Sequence, residues 1–182
     1  MRVGVAVGGF LLLLATSGCG HLVYVSSEYQ GRVVDAETKT PLAAAVVVAV
    51  WYREVPIGFH GGSMDYHDAL ETVTNEEGQF VVPSKVHVTL LGRIPAPDLV
   101  VFYPGYSVFH GSPLYSQLEA AYAERRFVIE LEKQRTREAR ESALSKLNTH
   151  VLRVPREALP TLTDAAHGEM RQLGLSTTII GR

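Results

Sequence analysis

The segment LAAAVVVAVWY, residues 42–52, decides the fold of this chain of 182 residues. Nearly every side chain in it is apolar, which is typical of a central strand that is covered on both of its faces. A buried helix is the alternative, but the four valines and the preceding Pro41 favour a strand. The segment therefore predicts the middle strand of a β-sheet that packs against other structure on each side.

Shorter strand-like segments lie on either side of this run. They are predicted at residues 29–35, 69–74, 79–82, 86–91, 99–103 and 126–131, and alternation of side chains is the evidence at 69–74, 86–91 and 126–131. The sequence NEEG at residues 75–78 predicts a tight turn in which Gly78 adopts a positive φ. Short strands joined by turns indicate a mainly β protein, built as an antiparallel β-sandwich.

The C-terminal part of the chain has a different pattern. Residues 132–147 are rich in charged side chains and carry apolar residues at helical spacing, and Thr136 is suited to be the N-cap of that helix. A second helix is predicted at residues 161–173 and ends at Gly174. These helices are expected to pack on the flank of the sandwich or to extend toward a partner.

The first eighteen residues have the order of a signal peptide. Arg2 provides a positive charge, residues 3–15 are mostly apolar, and small residues then lead to Cys19, the only cysteine of the chain. The apolar part is shorter than the roughly 20 residues that a permanent membrane span needs. An ordinary secretory signal with an incidental cysteine is the alternative to a specialised use of Cys19.

The sequence TSGC at residues 16–19 resembles the lipobox of bacterial lipoproteins. This resemblance implies cleavage before Cys19 and attachment of lipid to its thiol. A lone cysteine cannot form an internal disulfide, which also favours acylation. Gly20, in place of an aspartate, is similar to the signal by which enterobacterial lipoproteins reach the outer membrane, so we expect a lipid-anchored, outer-membrane location.

Four short motifs resemble the carboxypeptidase regulatory-like domain, an Ig- or transthyretin-like β-sandwich. They are GRVVD at residues 31–35, PL at 41–42, TNEEGQF at 74–80 and PGY at 104–106. The resemblance implies a stabilising or recognition module without catalysis. Residues 53–68 are an insertion relative to this pattern and are expected to form a long loop between two strands.

These patterns divide the chain into four parts. We expect a signal peptide at residues 1–18, a tether at 19–28, the β-sandwich at 29–132 and a helical C-terminal extension at 133–182. The formal net charge of -2 does not suggest nucleic-acid binding. No nucleophile elbow or phosphate loop occurs in the sequence, so neither enzymatic activity nor a cofactor is expected.

The insertion and the aromatic residues around it are the candidates for a working site. His60 and His67 in the insertion are weak candidates for metal ligands, with a polar surface loop as the alternative. Aromatic contact residues are expected at Trp51, Phe59, Tyr66 and Tyr106. His110 and His150 offer no pairing that can be seen in the sequence.

The expected function is that of a lipid-anchored, non-enzymatic module of the cell envelope that recognises a protein or has a structural role. Binding of carbohydrate or peptidoglycan through exposed aromatic rings is the alternative, and a metal-dependent activity at the loop with His60 and His67 is the third. Protein recognition predicts a contiguous apolar surface patch. A glycan site predicts coplanar rings along a groove.

Overall fold

A computed structural model describes residues 23–56, 62–112, 124–177 and 181 of the chain. Within these residues the protein is mainly β, with a β-sandwich and two α-helices near the C-terminus. The predicted fold class is therefore confirmed. The helices cover the outer face of one sheet, so that this sheet lies in the middle of three layers.

In the described part of the chain, nine strands form two sheets and a separate two-stranded ribbon. In chain order they are β1 (Val23–Ser26), β2 (Tyr29–Asp35), β3 (Val46–Pro56), β4 (Gly62–Val73), β5 (Gln79–Val82), β6 (Lys85–Val88), β7 (Asp98–Phe102), β8 (Phe109–Gly111) and β9 (Arg126–Leu131). The first sheet has the order β4-β3-β7-β8, the second has β5-β2-β9, and β1 pairs with β6. These neighbours run antiparallel except for β2 and β9, which are parallel.

The valine-rich segment is the central strand that the sequence predicts. Successive side chains of a strand point to opposite faces. Val47, Ala49 and Trp51 therefore join the core between the two sheets. Val46, Val48 and Val50 join a second core beneath the helices. The strand begins at Val46 and not at residue 42, because Ala44 has a φ of 61° and belongs to the preceding turn.

The two helices begin with different kinds of cap. α1 (Arg137–Val151) starts after Thr136, whose Oγ1 accepts a 3.2 Å hydrogen bond from the Ala139 N–H, as predicted for an N-cap. α2 (Pro160–Gln172) has no side-chain cap of its own. Instead, both carboxylate oxygens of Glu71 on β4 accept backbone N–H groups of its first turn, each at 2.8 Å. A strand of the central sheet thus fixes the start of α2.

The prediction of a long loop at residues 53–68 is wrong for most of that segment. β3 continues to Pro56 and β4 begins at Gly62, so the segment extends a two-stranded hairpin. Arg53 and Asp65 are cross-strand partners, and their side chains form an ion pair of 3.4 Å. The pairing of β3 with β4 continues beyond a register shift between Trp51 and Tyr52. The backbone hydrogen bonds of this pairing explain why the polar residues of the segment still form strands. Residues 57–61 lie outside the described part.

The expected tether at residues 19–28 is also wrong in part, because Val23–Ser26 forms β1. Its side chains alternate between an exposed and a covered face, and β6 supplies its hydrogen-bonding partners. Residues 19–22 lie outside the described part of the chain. Among the described residues, no helix is both long enough and apolar enough to cross a membrane.

Candidate functional site

A cleft of about 450 Å³ lies between the end of α1 and the first sheet. The sheet contributes residues from each of its four strands, and the helical layer contributes the residues at and just after the end of α1. The lining residues are Tyr52, Met64, Asp98, His110, Ser112, Thr149, His150, Leu152 and Arg153. The cleft therefore collects side chains that are far apart in the sequence.

Two imidazole rings stack on each other in this cleft. The ring centroids of His110, on the edge strand β8, and His150, in the last turn of α1, are 4.2 Å apart with an interplanar angle of 15°. Burial lowers the pKa of His150, and the neighbouring His110 and Lys146 lower it further. The His150 ring is therefore held neutral near pH 7, where the pair stacks without charge repulsion.

Asp98 and Arg153 bring opposite charges to the same cleft. Asp98 begins β7, and its Oδ2 lies 3.8 Å from His110 Nε2. Burial raises the pKa of the Tyr52 hydroxyl, and the Asp98 carboxylate raises it further, so this phenol stays protonated. Arg153 follows α1 and approaches the Met64 carbonyl at 3.5 Å. The cleft thus combines a carboxylate acceptor, a guanidinium donor and a phenol within one volume.

Of the four predicted aromatic contact residues, the three that the structure describes do not form one surface. Trp51 is completely buried between the two sheets, so its ring belongs to the core and not to a contact surface. Tyr66 is partly buried against the helical core. Tyr106 is partly buried in the sandwich and donates its hydroxyl hydrogen to Asp35. Phe59 lies outside the described residues, and ligand contact by any of these rings stays a prediction.

The predicted metal ligands are only partly described. His67 lies beside the buried His87, with ring centroids 5.3 Å apart, and Asp68 Oδ2 is 3.8 Å from His87 Nδ1. Burial lowers the pKa of His87, and His67 lowers it further. Among the residues that the structure describes, no group of three or more His, Cys, Asp and Glu side chains could hold a metal ion. His60 lies outside that part, as does the lipidation candidate Cys19.

No pattern in the sequence indicates the cleft. His110 and His150 were expected to have no pairing, yet the structure stacks them on each other. The antiparallel hairpin of β7 and β8 places Asp98 close to His110, and this hairpin was missed because β8 is only three residues long. His150 comes from the separate helical layer. A strand predicted at residues 109–111 is the one feature of the sequence that could have indicated the β7–β8 hairpin.

The comparisons with known proteins identify no family for this chain. Neither a protein-family model nor a curated protein matches the sequence. One solved structure that matches is the crystal structure of a 9R-lipoxygenase from Cyanothece PCC8801, with 13% identity and a TM-score of 0.28. The match covers 81% of this chain and 24% of the lipoxygenase chain.

This match corrects one expectation from the sequence. The matched protein is an enzyme, so the expectation that the chain is not an enzyme is withdrawn. At this identity and TM-score the similarity assigns neither a fold nor an activity. No lipoxygenase chemistry is therefore attributed to the chain.

Proposed function

We propose that the chain is a lipid-anchored binding module of the cell envelope, tethered through Cys19, whose cleft binds a saccharide of the envelope. The cleft carries this proposal, because it places Asp98, Arg153 and Tyr52 around one volume beside a stacked imidazole pair. The anchor rests on the sequence, in which the only cysteine follows an apolar segment and small residues.

The chemistry of the cleft suits a ligand that both donates and accepts hydrogen bonds. Sugar hydroxyl groups do both: the Asp98 carboxylate accepts from them and the Arg153 guanidinium donates to them. The Tyr52 ring adds an apolar surface, and Tyr and His rings commonly line such sites. A volume of about 450 Å³ is within the range of small-molecule sites.

Recognition of a protein is the other predicted role, and it would need a contiguous apolar patch. Such a patch exists, but it lies on the ribbon of β1 and β6 and not at the cleft. The residues that line the cleft are mostly polar. The cleft therefore supports a small polar ligand better than a protein surface.

Calorimetric titration of the detergent-solubilised full chain with soluble peptidoglycan fragments and N-acetylglucosamine oligomers tests the saccharide proposal. Asp98→Asn removes the charged acceptor of the cleft, and we expect it to weaken binding about tenfold, as loss of a hydrogen bond to a charged group does. Glu130→Gln, an exposed position on β9, is the matched control and should bind as the wild type does.

Two results would contradict the proposal. One is a wild-type chain that binds none of these saccharides, and the other is equal affinity in the Asp98→Asn and Glu130→Gln variants. The anchor is tested separately by mass spectrometry of the protein from membranes, where diacylglycerol on Cys19 and a missing leader are expected. An intact leader or an unmodified thiol refutes the anchor without affecting the saccharide result.

A further inference from the structure

The outer face of the β1–β6 ribbon is bare and apolar. Val23 lies opposite Val88, and Val25 lies opposite Val86, so the four side chains form two adjacent cross-strand pairs. Leu90 continues the alternation of Val86 and Val88 beyond the end of β6. The exposed fractions of the apolar face are Val23 56%, Val25 60%, Val86 60%, Val88 62% and Leu90 87%, and the next residue, Leu91, is 63% exposed.

The ribbon is fixed to the sandwich by its other face. Ser26 is fully buried and bonds to Lys85 in both directions, with Oγ donating to the carbonyl at 3.2 Å and accepting from the N–H at 3.0 Å. His87 is also buried, with its ring centroid 4.9 Å from that of Trp51. Because the inner face is anchored in this way, the outer face cannot turn inward to bury its valines.

A local hydrogen bond fixes the backbone around the two exposed leucines, Leu90 and Leu91. Thr89 is buried, and its Oγ1 donates to the Leu91 carbonyl at 2.7 Å. Gly92 then has a φ of 88°, and a Cβ at this position would clash with the Glu54 carbonyl oxygen. The backbone after Leu91 therefore requires a glycine, and the side chains of Leu90 and Leu91 are both exposed.

This apolar face lies next to the proposed anchor in the sequence. Val23 follows Cys19 by four residues. At about 3.5 Å per residue, β1 starts no more than about 14 Å from the acylated cysteine. The headgroup region on one side of a bilayer is about 5–8 Å thick. The length of chain available therefore keeps the ribbon at the membrane surface.

We infer that the apolar face of β1 and β6 rests in the interfacial region of the bilayer to which Cys19 is anchored. The inference depends on the anchor in the proposed function and extends it, because it assigns a second contact and an orientation to the tethered domain. Contiguous apolar patches are rare on the free surface of soluble proteins.

Spin labels on two matched valines test this contact. Val86→Cys places a label on the apolar face, and Val128→Cys places one on the exposed side of β9 in the second sheet. The full-length acylated chain is reconstituted into vesicles of phosphatidylethanolamine and phosphatidylglycerol. The collision rates of each label with oxygen, which is lipid-soluble, and with a water-soluble nickel chelate are then compared by electron paramagnetic resonance.

We expect the label at residue 86 to have a ratio of oxygen to nickel collisions several times higher than that of the label at residue 128. An equal ratio at both positions overturns the inference. A second result would also overturn the inference. If the label at residue 86 collides with the nickel chelate in vesicles but is shielded from both reagents in native envelope, a protein and not the membrane covers the face.

The same labelling separates failure of the anchor from failure of the contact. An acylated Cys19 has no free thiol, so the wild-type chain should take up no label. Label on the wild type refutes the anchor and the inference that depends on it. If the wild type takes up no label but the label at residue 86 collides mainly with the nickel chelate, the membrane contact is refuted and the anchor is not. Circular dichroism of both variants checks that each exposed substitution leaves the fold intact.

Discussion

The Tyr106 hydroxyl donates a hydrogen bond of 2.9 Å to Asp35 Oδ2 and thereby joins two turns that are 71 residues apart in the sequence. Asp35 Oδ1 accepts the backbone N–H groups of Glu37 and Thr38, each at 2.8 Å. The pKa of Asp35 is lowered to about 2, and the main cause is the hydrogen bond that the Thr38 backbone N–H donates to this carboxylate. Burial is the main cause that raises the pKa of Tyr106 to about 12, and the bond to Asp35 adds to it.

Tyr106→Phe should lower the thermal unfolding midpoint by about 2–4 °C, because it removes one side-chain hydrogen bond while keeping the ring. Differential scanning calorimetry measures this change. Tyr24→Phe, whose ring also packs against the sandwich core, is the control, and its midpoint should stay closer to that of the wild type. An unchanged midpoint in Tyr106→Phe would show that the bond does not stabilise the fold.

Acid should remove the contribution of Asp35 to stability. Because the pKa of this carboxyl is lowered from 3.8 to about 2 in the folded protein, its contribution is fully present above about pH 4 and is lost as the pH falls through about 2. Urea unfolding at several pH values in this range measures the slope. Asp35→Asn should be less stable than the wild type at pH 5, and its free energy of unfolding should fall less steeply as the pH is lowered. If the free energies of unfolding of the variant and the wild type fall in parallel, Asp35 is not the group responsible.

Mild acid should also destabilise the packing of His150, the partly buried histidine of the cleft. Burial, His110 and Lys146 lower the pKa of His150 below its ordinary 6.5. The unfolded chain therefore takes up a proton that the folded chain resists, and stability should fall as the pH drops below about 6.5. Chemical unfolding at about pH 7 and about pH 5 tests this. The difference should be smaller in His150→Phe, which keeps a ring without a titrating group.

Arg140→Met should destabilise the helical layer by on the order of 3 kcal/mol. Two hydrogen bonds of 2.6 Å join the Arg140 guanidinium to the carboxylate of Glu169, which is nearly completely buried, so the substitution strands a buried charge. Arg137→Ala, which breaks the exposed pair with Glu141, should cost less than about 0.5 kcal/mol. The double variant Arg140→Met/Glu169→Met should recover most of the loss, and failure to recover would point to packing damage instead.

Glu71→Ala should cost about 1–2 kcal/mol, because it leaves two N–H groups and the positive end of α2 without their carboxylate. Glu76→Ala, at an exposed turn position, is the control and should lie within about 0.5 kcal/mol of the wild type. Urea denaturation measures both free energies of unfolding, and hydrogen exchange of the Thr161 and Leu162 amides reports the cap directly. Unchanged exchange in Glu71→Ala would contradict the capping role.

The sequence predicted those parts of the fold that depend on local patterns. The apolar run identified the middle strand, Thr136 marked the start of a helix, and Gly78 adopts the predicted positive φ, here 73°. The positive φ is a property of the turn itself, and a Cβ on Gly78 would also lie 2.5 Å from the Val33 carbonyl oxygen on β2, so the turn and the neighbouring strand both require glycine there.

What the sequence could not predict comes from residues that are distant along the chain. β1 alternates well enough for a strand, but only its partner β6 supplies the hydrogen bonds that make it one. The cap of α2 comes from Glu71, about ninety residues before it, so no capping motif precedes the helix. The cleft depends on the packing of α1 against the first sheet, which no periodicity specifies. Aromatic content was a poor guide to the site, since Trp51 is a core residue.

The parallel pairing of β9 with β2 determines when this protein can finish folding. Gln30 pairs with Arg126 and Asp35 with Leu131, so nearly one hundred residues must follow β2 before its second edge is covered. Until β9 has been synthesised, one edge of β2 has no partner strand, and another copy of the chain could pair with that edge. Completion of the second sheet is therefore expected to come late, because long-range strand pairing is slow to form.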